Sequence, residues 1–167
     1  MYGKYLHIAV FGLLSSAHVF AESIVIDDKV VFAEGTDVTS AVVNECELDN
    51  KFTFFLDEYI SKQNITVLKA SSEKAKGISK RLHIEIDRVH GAGGGAWTGG
   101  KMVHAVGTLT DKGQVIGSFK VQRTSGGGAF GAFKGTCSLL GRDVKAMAKD
   151  ISRWIKSPSK DARLGEL

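Results

Sequence analysis

The chain has 167 residues, with 22 Lys and Arg against 18 Asp and Glu, a formal net charge of +4, two cysteines and 20 glycines. That length suits one domain able to bury a core of its own. The basic residues are spread out and are not interleaved with aromatics in a stripe, so no nucleic-acid partner is expected.

The first 21 residues read as a signal peptide. Lys4 precedes the apolar run Tyr5 to Phe11, and a small-residue Val19-Phe20-Ala21 end places cleavage after Ala21. The stretch is short for a membrane span and is interrupted by Ser15, Ser16 and His18. An uncleaved anchor is the alternative. No Cys sits at the cleavage point to accept a lipid. The expected organisation is therefore a signal peptide over 1–21, a single α/β domain over 22–158 and a flexible tail over 159–167. Export favours a disulfide between Cys46 and Cys137, the one pairing two cysteines allow, with two buried free thiols as the alternative.

Ser23 to Ala33 carries two β-branched runs around Asp27-Asp28 and predicts a strand bent or turned at the aspartates. From Thr36 to Asn64 the apolar residues Val42, Val43, Cys46, Phe52, Phe55, Leu56, Tyr59 and Ile60 keep helical spacing. The helix can start at Ser40, or at Asn44 with Glu47 completing a capping box. Ile65 to Leu68 is a second strand, so the three elements form a right-handed βαβ unit with parallel strands. The polar stretch Ala70 to Lys80 predicts a loop.

Three alternating runs follow. Leu82, Ile84 and Ile86 share one face; Val103, Ala105, Gly107 and Leu109 share another; Val115, Gly117, Phe119 and Val121 form the third. Asp111-Lys112-Gly113 joins the last two as a tight hairpin. A closing helix spans about Cys137 to Lys156, with its stripe at Leu139, Leu140, Val144, Met147, Ala148, Ile151, Trp154 and Ile155, and Ser157-Pro158 stops it. The fold expected is α+β, a two-layer α/β sandwich: a mixed, mostly antiparallel sheet of about five strands with two helices on one face, in the order β-α-β-β-β-β-α.

The glycines cluster in two segments of similar pattern, 91–100 with Gly93, Gly94, Gly95 and Trp97, and 125–135 with Gly126, Gly127, Gly128, Phe130 and Phe133. In an up-down-up meander both segments leave the sheet at the same end. The second helix starts there, and a Cys46–Cys137 bond would bring the first helix to it. Trp97, Phe130 and Phe133 lie in stretches too glycine-rich to form a local core, which points to docking on a partner protein, self-association or contact with a membrane surface. Folding back as a lid on the sheet edge is the alternative. Lys101, Arg123 and Lys134 flank the segments and are candidate contacts for a small anionic ligand at a helix N-terminus, although neither phosphate-loop spacing is present.

No catalytic constellation emerges. His83, Glu85 and Asp87 share a strand face, with His90 and His104 near in sequence, but i, i+2 spacing spreads them too far for one metal ion, and a solvated polar face is expected. Ser125 and Ser138 have no placed His or Asp partner, and the cysteines lack C-x-x-C spacing. No enzyme activity, cofactor or metal is expected.

The stretch Asp87 to Phe133, with its G-x-G-G-G segment, the hairpin "GTLTDKGQVIG" (Gly107 to Gly117) and "RTSGGG" (Arg123 to Gly128), followed by a helix ending Trp154-Ile155, resembles small Gram-negative envelope proteins. Their sheet-and-two-helix domain is similar to the TolB N-terminal domain and to the related domain of the curli secretion lipoprotein. The resemblance covers about half of the part after residue 21 and implies a periplasmic domain that binds or scaffolds other envelope components. It carries over no catalytic residue, and the missing lipid-accepting Cys departs from the lipoprotein members.

Overall fold

A computed structural model describes residues 22–71, 74, 80–91, 100–126 and 135–167. The signal-peptide segment 1–21 lies outside the described residues. The first β-branched run breaks at the aspartates into β1 (Ser23–Asp27) and β2 (Val31–Asp37). Both lie parallel against the same long strand, β4 (Lys80–His90), which takes β1 at Arg81 and Leu82 and β2 from Glu85 onward. β3 (Thr66–Ala70) lies parallel to β1, as the βαβ reading requires. β5 (Lys101–Asp111) and β6 (Gln114–Ser125) continue the sheet antiparallel.

The first helical segment is two helices, α1 (Ser40–Cys46) and α2 (Leu48–Ser61). Thr39 caps α1 with its hydroxyl, and Glu47 at φ +48° ends it in a left-handed turn before α2 begins. The closing helix α3 (Thr136–Trp154) starts after Gly135. Its stripe from Leu139 to Trp154 is buried throughout.

The helices cover one face of the sheet. Ile24, Ile26, Leu82, Ile84, Ile86, Val103, Ala105, Leu109, Phe119 and Val121 join Phe52, Leu56, Leu140, Met147 and Ile151 in one core. Period-2 alternation puts the apolar set of each strand on that side, and burial of these side chains stabilises each by about 1.5–3 kcal/mol. Gly107 matters to the packing: a Cβ there would sit 2.3 Å from the Phe119 ring, which stacks edge-on with Trp154 at 4.8 Å.

The fold class is the one expected, a mixed α/β sandwich with its long strands antiparallel, carrying more elements than the sequence suggests. Three details differ. The stretch 159–167, expected as a flexible tail, contains β7 (Ala162–Gly165), which pairs parallel to β6 from Phe119 to Gln122. Tertiary contacts hold it: the Asp161 amide donates to the Ser118 hydroxyl at 2.8 Å, and the Glu166 amide to the Gln122 carbonyl at 3.1 Å. Val115 is exposed and does not share the inward face, because a bulge at Ile116 shifts the register between Leu109 and Thr110. The hairpin has positive φ at both Lys112 and Gly113, the type I′ geometry that suits strand twist.

Candidate functional site

The β4–β5 connection spans 91–100 and the β6–α3 connection spans 126–135. Register places both at one end of the sheet: His90 faces Met102, and Lys101 faces Ser125. Gly91 packs against the start of α3 and against α1, since a Cβ there would meet Leu140 at 3.1 Å, Thr136 at 3.4 Å and Val42 at 3.5 Å. Cys46, the last residue of α1, is disulfide-bonded to Cys137, the second residue of α3, with their Cα atoms 4.7 Å apart. Both glycine-rich segments are thus anchored at one pole, beside a covalent staple.

Of the residues expected to work there, Gly93, Gly94, Gly95, Trp97, Gly127, Gly128, Phe130, Phe133 and Lys134 lie outside the described residues, and Gly126 is the described residue that follows β6. Arg123 is engaged: Nε and Nη2 donate to Asp150 at 2.9 and 2.7 Å, and Nη1 lies 3.7 Å from Glu166. Lys101 is fully buried at the start of β5.

Beneath the pole lies a group the sequence reading missed. Asp143 on α3 is buried, accepts the Ser125 hydroxyl at 2.5 Å through Oδ1, and has no hydrogen-bond partner on Oδ2. Burial pushes its carboxyl up to about 7. The available signal was its position between Leu140 and Val144 inside the apolar stripe.

The other sheet face is uncovered by helix and carries the polar halves of the strands. His83 Nδ1 is 2.5 Å from Asp27 and its Nε2 is 3.2 Å from Glu85, while Arg81 donates to Asp27 at 2.8 Å. Burial raises the Asp27 carboxyl, but the hydrogen bonds from His83 and Arg81 outweigh it and hold it below the usual range. The bond to Asp27 raises the His83 imidazole above its ordinary value, against burial. His104, itself buried, pairs with Asp87. The face read as a solvated polar surface is therefore an internally bonded charge network. Among the described residues no three His, Cys, Asp or Glu converge to hold a metal ion. Further along this face, an open-sided hollow of about 720 Å³ lies over β4 to β7. No described helix is long and apolar enough to cross a membrane.

Fold and site together define a disulfide-stapled two-layer α/β domain with a glycine-rich pole and an open, charged sheet face. No protein-family model matches the chain, and no curated protein matches it in sequence. The fold is nevertheless shared with solved structures. The PelC dodecamer from Paraburkholderia phytofirmans aligns with a TM-score of 0.50 at 13% identity, over 77% of this chain and 87% of that one. An uncharacterised protein aligns with a TM-score of 0.52 at 12% identity, over 81% of this chain and 92% of its own.

Proposed function

We propose that this chain is an exported, non-enzymatic binding or scaffolding domain of a Gram-negative envelope. In this reading it acts in the periplasm and assembles through the pole from which its glycine-rich segments depart, with further copies of itself as the first partner. The observation that carries the reading is the convergence of Gly91, Gly100, Gly126 and Gly135, the four ends of those segments, on the Cys46–Cys137 staple. Such a staple belongs to an oxidising compartment, in keeping with the signal-like first 21 residues. The fold likeness to PelC, whose structure is a dodecamer, supports self-association. The resemblance to the TolB N-terminal domain gives the same setting.

Rigid strand ends holding glycine segments that bear Trp97, Phe130 and Phe133 suit a docking surface, because aromatic anchors supply large apolar contact for few frozen torsions. A small anion at this pole draws less support, since Arg123 is committed to Asp150 and Glu166 and Lys101 is buried. The test is light scattering on residues 22–167 with and without the paired substitution Trp97→Ala and Phe130→Ala. An assembly larger than one chain that falls apart in the variant supports the reading, and an unchanged mass rejects it.

A further inference from the structure

The open sheet face holds a second site, separate from the glycine pole and independent of the reading given for it. We infer that the hollow over β4 to β7 binds a small organic anion with an apolar body, its acid head seated between Lys120 and Arg163. At about 720 Å³ the hollow falls within the range of about 300–1,000 Å³ that small-molecule sites occupy. Its acids are already satisfied: Glu85 meets His83, and Asp161 accepts the Ser118 hydroxyl at 3.2 Å. Its two cations are not. Among the described residues neither Lys120 nor Arg163 has a side-chain partner.

Register makes that arrangement costly without a ligand. Lys120 on β6 stands directly opposite Arg163 on β7, and like charges facing each other across neighbouring strands destabilise a sheet. Glu85 is two strands away from Lys120, across Val106, and so lies roughly 10 Å off. A carboxylate or phosphate between the two cations would relieve their repulsion and accept charge-assisted hydrogen bonds from both. The Thr108 hydroxyl is a further free donor in the lining, and Val106 and Leu167 supply an apolar surface for the rest of the molecule. An anion bearing a short hydrocarbon body satisfies both halves of this lining.

Calorimetric titration of the full chain with octanoate tests the inference, with acetate to remove the apolar body and octyl glucoside to remove the charge. Saturable octanoate binding is expected, with both controls weaker. Lys120→Gln combined with Arg163→Gln should weaken octanoate by about tenfold or more, while Lys156→Gln, an exposed cation away from the hollow, should not. Both substituted cations are exposed, so an unchanged melting curve will show the variant folded. Three results overturn the inference: no saturable octanoate binding, binding indifferent to the double substitution, or a change in molecular mass on substitution, which would make the face an interface between copies. The Trp97 and Phe130 substitutions leave this titration unchanged, so its failure is distinguishable from failure of the glycine-pole reading.

Discussion

The two ends of the long strands are built in opposite ways. At one end β5 turns into β6 through Lys112 and Gly113 alone, in a two-residue hairpin whose backbone angles are set by strand twist. At the other, β4 and β6 each run into ten residues of glycine-rich chain, at 91–100 and 126–135, before the next element begins. The fold compensates at that second end with a covalent bond between α1 and α3. The contrast teaches where each kind of constraint is needed. Local turn chemistry suffices where the chain reverses at once, and a cross-link holds the elements together where the connecting chain has the greatest conformational entropy.

The largest effect should come from removing the staple. Cys46→Ala with Cys137→Ala opens a loop with a sequence separation of 91 and is expected to cost about 4 kcal/mol, read by denaturant unfolding under non-reducing conditions. A loss near zero would mean that the glycine pole is held without it. Asp143, beneath the same pole, should give the next largest. The unfolded chain ionises this carboxyl near pH 4, whereas the folded chain keeps its proton to about pH 7. Stability contributed here therefore falls as pH rises from about 4 to about 7 and levels off above, a change on the order of 3 kcal/mol. Asp143→Asn should remove that slope in melting temperatures taken across the window. His83 acts in the same direction at higher pH: its raised value contributes stability below about 6.5 that is lost as pH climbs through the folded value.

The hairpin end should respond more mildly. Gly113 sits at φ +78°, so Gly113→Ala is expected to cost about 1 kcal/mol by thermal unfolding, with no change in assembly. Smallest for stability should be deletion of Gly93–Gly95 at the opposite end. Shortening a long connection by three residues changes closure entropy by under about 1 kcal/mol, yet it should weaken association, as gel filtration would show. Equal effects of these last two changes on assembly would dissolve the distinction between the ends.

Much of this layout is legible in the residues. Alternation in β4, β5 and β6 assigns each apolar set to the covered face, and helical spacing marks the α3 stripe residue by residue. The cysteine pairing follows from there being two of them. What escapes is non-local. β7 is four residues long and gains its strand geometry from Ser118, Gln122 and the neighbouring backbone of β6, none of which its own sequence announces. The bulge that turns Val115 outward leaves no mark in the alternation. The Asp27–His83–Glu85 network joins residues on β1 and β4 that only parallel pairing brings together, so the strand pattern alone showed a polar face and no bonds. Asp143 hides because one acid within an apolar stripe does not disturb its period. The binding residues expected at Trp97, Phe130 and Phe133 were legible as aromatics among glycines, and their anchoring at a common end follows from the order of the strands.

The most direct measurement is the molar mass of the oxidised chain over residues 22–167 in solution, by light scattering, beside the variant carrying Trp97→Ala and Phe130→Ala. A multimer that becomes a folded monomer in the variant is the expected result. A wild-type monomer, or a variant that keeps the parent mass, would contradict assembly through the glycine-rich pole.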